Sequence, residues 1–169
     1  SRLHFVGPVV RPDIAQARSR SEARARLGVP THARCVLVTA GGGGDDGVSA
    51  FFDAVDDAVA AFKASDVTGG VEVHVVYAAG PLFRGMPRHG PHLTFFVGHD
   101  LAEHAAAFDV AVTAAGFNTI HELLLFGVPL VVVPQQKIAD DQTARAQRYA
   151  DRGALVLSSL ATVAGDIAR

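Results

Sequence analysis

One cysteine in 169 residues leaves no partner for an internal disulfide. Cys35 lies in the apolar run Cys35-Val36-Leu37-Val38, where a thiol packs as a small buried hydrophobe, and such usage suits a reducing cytoplasm. No apolar stretch approaches the roughly 18 residues that span a bilayer, and the first residues do not read as a signal peptide. An excess of charge of either sign is also missing. The 15 Lys and Arg against 17 Asp and Glu give a net charge of -2, and the pI of 6.4 offers no electrostatic footprint for nucleic acid or an anionic membrane. There is no Asp-x-Asp sequence to hold Mg²⁺. His89, His92, His99 and His104 do not form one of the donor sets that zinc normally takes, so no metal and no other cofactor is expected. Internal repeats and low-complexity tracts are lacking too.

What the chain does have is apolar sequence. With 49% hydrophobic residues and a mean hydropathy of +0.25, it has enough for the core of one globular domain and implies that part of its surface is covered by something else. Short apolar runs predict strands at 35–40, 71–77, 93–97, 108–112, 130–133 and 154–157. Between them, helical spacing predicts helices over 48–62 (Phe51, Phe52, Val55, Val59 and Phe62 inward), 101–108, from about Thr119, and from Asp141 to Gly153. An earlier helix is predicted over 14–27, with its arginines on a solvated face. Strands alternating with helices make a Rossmann-like α/β domain, a mostly parallel sheet with helices on both faces.

The stretch from Val110 to Pro134 organises this pattern. An apolar strand runs through Thr113-Ala114-Ala115-Gly116 into a helix bearing Ile120, Leu123 and Leu124, and Leu130 to Val133 forms the next strand. Such a crossover makes the two strands parallel and places a helix amino end beyond a strand's carboxyl end, where anions bind. From Val110 through His121 there is no carboxylate, while Gly116, Asn118 and Thr119 offer backbone approach, an amide and a hydroxyl. That surface suits a phosphate, and Glu122, one turn on, suits a neighbouring diol. Phosphate beside ribose is a nucleotide. Thr119-Ile120-His121-Glu122 also reads as a capping box, which would make both residues structural.

A second glycine turn, Gly41-Gly42-Gly43-Gly44, follows the first strand, but Asp45-Asp46 come next and would repel a phosphate. The diphosphate is therefore expected at Gly116, with Gly42 and Gly43 lining a cleft against sugar or acceptor. The backbone of Val97 and Gly98, at the end of another strand, is expected to face a base. Asp141 and Gln142 gather at a strand end as candidates for sugar hydroxyls, or as an ordinary acidic helix start.

Gly116-Phe117-Asn118-Thr119-x-x-Glu122, then Phe126-Gly127-Val128-Pro129, the strand to Pro134, and Asp141-Gln142 together resemble the nucleotide-sugar-binding half of GT-B glycosyltransferases, in the MurG-type branch, glycosyltransferase family 28. The resemblance implies that Gly116, Asn118 and Thr119 meet the diphosphate of a UDP-sugar, Glu122 the ribose, Asp141 and Gln142 the sugar, and the backbone near Val97 the uracil. It implies a metal-independent transfer to an acceptor hydroxyl. Ala114 stands where relatives often have a His or Arg, so that contact is expected to be missing or supplied by another group such as Lys137. The first loop reads Gly-Gly-Gly followed by acids where relatives often have Gly-Gly-Ser. Residues 1–12 are expected to be an interdomain linker and 13–169 the donor domain, truncated at its carboxyl end. Acceptor binding and the catalytic residues are expected in a missing amino-terminal domain or a separate acceptor subunit, with the whole cytoplasmic and peripheral at the inner membrane face through that half. The fragment alone is expected to transfer nothing. The rival readings are a UDP-sugar epimerase half and a nucleotide-binding or scaffold module without turnover.

Overall fold

The computed structural model describes residues 4, 7, 8, 17–42, 44, 47–65 and 68–168. Helix α1 (Arg20–Leu27) leads into β1 (Arg34–Thr39), α2 (Gly47–Ala64), β2 (Val73–Ala79) and β3 (Leu93–Val97). A 3-10 helix (Leu101–Ala107) follows, then β4 (Val110–Thr113), α3 (Phe117–Leu125), β5 (Leu130–Val132), α4 (Gln142–Ala150), β6 (Val156–Leu157) and α5 (Val163–Ile167). All six expected strands form, each within a few residues of its predicted bounds. They make one sheet in the order β3-β2-β1-β4-β5-β6, and every pairing is parallel.

The central strands are near-continuous Val, Leu and Ala because both sheet faces are covered. On one face α2 packs Phe51, Phe52, Val55, Val59 and Phe62 against Val36, Val38, Val75 and Tyr77, joined by Val163 and Ile167 of α5. On the other, Ala23 and Leu27 of α1, Ile120 and Leu123 of α3 and Ala146 of α4 cover Cys35, Leu37, Val76 and Val132. Burial is the main cause that pushes the Cys35 thiol up to about 12, as a structural cysteine requires. No helix among the described residues is long and apolar enough to cross a membrane.

The first helix differs from expectation. Residues 14–16 lie outside the described residues, as does most of the expected linker. The observed helix starts where Ser19 and Glu22 form a capping box and ends at Gly28 with φ 67°. Its arginines are not a uniformly solvated face. Arg24 is only 3% exposed and donates to the carbonyls of Ala107 (3.3 Å), Pro30 (3.0 Å), Thr31 (2.9 Å) and Ala33 (2.9 Å) and to the Asp109 carboxylate (2.8 Å). Asp109 also accepts from the Cys35 N–H at 2.7 Å, so this pair ties α1 to the amino ends of β1 and β4. The helix has few apolar residues, and Arg24 sits beside Ala23 and Leu27 on its inward side; its reach to polar backbone is what makes burial tolerable. Replacing Arg24 with Met should lower unfolding free energy by about 3 kcal/mol, because it takes the donors from several carbonyls and leaves the Asp109 carboxylate with only Arg20 and the Cys35 N–H. Urea denaturation checks this, and a loss under about 1 kcal/mol would return Arg24 to a surface role.

Candidate functional site

β1 and β4 are neighbours, yet the chain leaves β1 toward α2 on one face and leaves β4 toward α3 on the other. Beyond their carboxyl ends the two turns part, and a crevice opens at this switch of winding direction. α3 enters it through Gly116, which has φ -63° and ψ 135° as the N-cap and provides no side-chain cap. The first helical N–H groups, of Phe117, Asn118 and Thr119, therefore have no intrahelical acceptor, and the first turn holds no acid. Thr119 is the third helical residue rather than the cap, so Thr119 and Glu122 do not form the capping box that their spacing allowed.

Two glycine turns meet at the Thr119 hydroxyl. A Cβ on Gly41, whose φ is +89°, would lie 3.4 Å from Thr119 Oγ1, and one on Gly116 would lie 3.7 Å from the same atom. The first turn is itself backed by the turn after β2, since a Cβ on Gly80 would fall 2.1 Å from the Gly42 carbonyl oxygen. Gly98 is confined by side chains, with Asp100 Oδ1 and the Phe96 ring both 2.8 Å from a Cβ placed there. Between these turns lies a cleft of about 240 Å³, lined in part by Gly42, Gly98, Asn118, Thr119 and Glu122. Five of the expected site residues thus share one cleft. Gly116 borders it through Thr119, and Val97, at the end of β3, is exposed outside the lining. Gly43 lies outside the described residues, as do Asp45 and Asp46.

Asp141 and Gln142 stand elsewhere, at the start of α4. The Asp141 carboxylate caps that helix, accepting from the Ala144 N–H at 2.9 Å. Gln142 is buried, and its side-chain oxygen accepts from the N–H groups of Ala115 and Gln135, each at 3.1 Å. Neither residue lines the cleft. A larger cavity of about 790 Å³, bordered by Arg34, Asp109 and Leu155, lies at the amino-terminal ends of β1, β4 and β5. That edge faces away from the helix amino ends that bind anions, so size does not make it the stronger candidate. Among the described residues no group of three or more His, Cys, Asp or Glu could hold a metal ion.

The glycosyltransferase family 28 C-terminal domain matches residues 36–164. This chain belongs to that family. It is 31% identical over 170 aligned positions to the UDP-N-acetylglucosamine–N-acetylmuramyl-(pentapeptide) pyrophosphoryl-undecaprenol N-acetylglucosamine transferase of Desulforudis audaxviator, covering 93% of this chain and 43% of that protein. The transferase of the same name from Mycobacterium bovis is 34% identical over 141 positions, covering 79% of this chain and 32% of that protein. The chain thus spans less than half the length of these relatives. Among solved structures, the glycosyltransferase of kitacinnamycin superposes with a TM-score of 0.60 at 23% identity, over 82% of this chain and 36% of that one. MurG of Acinetobacter baumannii gives 0.53 at 22% identity, over 95% and 45%. At those identities the likeness shows the fold, one half of the GT-B architecture.

Within this family 28 domain, three features escaped the sequence reading: Gly80, Arg145 and the approach of Gly41 to Thr119. Gly41 and Gly80 are short residues whose role depends on which turns the sheet brings side by side. Arg145 donates to the Ala115 carbonyl at 2.7 Å and pairs with Asp140, and its guanidinium lies 5.6 Å from the Phe117 ring centroid. The hydrogen bond from Arg145 is the main cause that holds the Asp140 carboxyl below its ordinary range. Beside the Ala114 turn the structure therefore places Arg145. Gly80→Ala should shift the Gly41–Gly42 turn and lower stability by about 1–3 kcal/mol, since the clash is backbone on backbone. Amide NMR shifts confined to residues near 80, with Gly41 and Gly42 unmoved, would show that the two turns are not coupled.

Proposed function

We propose that this chain is the donor-binding domain of a glycosyltransferase that moves a sugar from a UDP-sugar to an acceptor hydroxyl. The observation that carries this reading is the convergence of two glycine turns on Thr119 at an uncapped, acid-free helix amino end. Backbone N–H groups there suit a diphosphate, whose negative charge is stabilised by the helix dipole. The Glu122 carboxylate, one turn along α3 in the same cleft, accepts from the two ribose hydroxyls. The base lies toward Val97 and Gly98, and Gly42 faces the sugar or acceptor. Asp141 serves the sugar side from the exposed start of α4. Family membership and the names of the relatives above support the same assignment.

In the transfer, an acceptor hydroxyl oxygen bonds to the anomeric carbon as the bond from that carbon to the diphosphate oxygen breaks. The bonding electrons leave with the diphosphate, and the N–H groups at Gly116–Thr119 stabilise the growing charge without a metal. The acceptor proton passes to a base in an amino-terminal acceptor domain or separate subunit, which holds the catalytic residues. Exposed Leu82, Met86, Ile138 and Leu160 on loops at the sheet's carboxyl edge support a covering surface there. We place the assembled enzyme in the cytoplasm, at the membrane face through that other half, and expect this domain alone to bind donor without transfer.

Calorimetric titration with UDP, UDP-sugars, ADP and NAD tests the reading. UDP and UDP-sugars should bind in preference to ADP and NAD, and Glu122→Ala should weaken UDP about tenfold, about 1.4 kcal/mol, with unchanged melting. Unchanged UDP affinity in the variant would remove Glu122 from the ribose, and equal or better binding of NAD would overturn the donor assignment.

A further inference from the structure

Both backbone polar groups of Ala115, the residue before the Gly116 turn, are held by side chains of α4. Gln142 Oε1 accepts from its N–H at 3.1 Å, and Arg145 Nη1 donates to its carbonyl at 2.7 Å. Ala115 itself is 0% exposed and Gln142 6% exposed, so water does not substitute readily for either bond. A peptide group is planar and trans, with its C=O and N–H pointing in opposite directions. The carbonyl of Ala115 and the N–H of Gly116 belong to one such plane. By drawing that carbonyl toward α4, Arg145 turns the Gly116 N–H the other way. On the preceding plane, Gln142 holds the Ala115 N–H, and the Ala114 carbonyl opposite it accepts from Thr113 Oγ1 at 3.0 Å. Gln142 also accepts from the Gln135 N–H at 3.1 Å, which fixes the loop after β5 to the same point. Asp140 holds the Arg145 guanidinium in place.

We infer that Gln142 and Arg145 are positioning residues for the diphosphate turn: they fix the peptide planes on either side of Ala115 and so aim the N–H groups that follow. Gln142 acts through Ala115 by its side-chain oxygen. This rests on the nucleotide-sugar reading of the cleft, which it deepens by assigning α4 the task of setting the geometry of the anion site. The two roles for Gln142 differ in an observable way. A sugar ligand matters to a UDP-sugar and not to UDP, whereas a positioning residue matters equally to both.

The experiment uses this chain with Gln142→Met, which keeps length and volume and removes the acceptor. Amide hydrogen exchange without ligand should accelerate at least tenfold at Ala115 and Gln135 while the β1 and β4 amides keep their protection. UDP and UDP-N-acetylglucosamine should then lose affinity by the same factor, about three- to tenfold, by calorimetry. A loss confined to UDP-N-acetylglucosamine, or unchanged exchange at Ala115, would overturn the inference. If the wild-type chain binds neither nucleotide, the donor reading fails and the exchange measurement alone decides whether the clamp exists. Should Gln142→Met not fold, Arg145→Lys makes the same comparison from the carbonyl side. It keeps the charge and loses the fork that binds Asp140, so equal weakening of the two ligands is expected and weakening of the sugar nucleotide alone would again overturn it.

Discussion

The site depends on one topological constraint: adjacent parallel strands whose connections leave for opposite faces of the sheet. β1 hands the chain to α2 on one face and β4 hands it to α3 on the other. No helix can then fill the space above their shared carboxyl edge, and the turns of both strands border the resulting crevice. Small residues follow from that placement. Gly41 reaches φ +89° beside the Thr119 hydroxyl, and Gly80 lets the β2 turn lie directly on Gly42.

The two edges of the sheet divide the work. At the amino-terminal edge, buried Arg24 and half-buried Asp109 join α1, β1 and β4 through charge-assisted hydrogen bonds. At the carboxyl edge the polar groups point outward: the uncapped start of α3 faces the crevice, and α4 grips its approach through Ala115. Rigid support just behind an open anion site is what a binding turn needs, since donors aimed before the ligand arrives cost no reorganisation when charge develops.

The strands were legible in the sequence because a parallel sheet covered on both faces leaves an unbroken apolar run for nearly every strand, from Cys35-Val36-Leu37-Val38 to Leu130-Val131-Val132. The acid-free start of α3 was legible too, since an absence of carboxylates over twelve consecutive residues can be read directly. Arg24 was not, because a guanidinium on an apolar-poor helix looks solvated until the neighbouring carbonyls are known. Gln142 shows a different limit. Its polarity and its place after a strand were plain, but that its side-chain oxygen holds the N–H groups of Ala115 and Gln135 depends on what the next helix packs against. Arg145 stayed hidden for the same reason, its partner Ala115 being 30 residues away in the chain.

The central claim is that the amino end of α3 is an anion site for a nucleoside diphosphate. An amide NMR titration of the chain with UDP tests it most directly. The account predicts the largest shifts at Gly116, Phe117, Asn118 and Thr119, with Gly41 and Gly42 moving at the same concentration. Shifts centred instead on the cavity around Asp109 and Leu155, or a saturating titration that leaves Gly116–Thr119 unmoved, would contradict it.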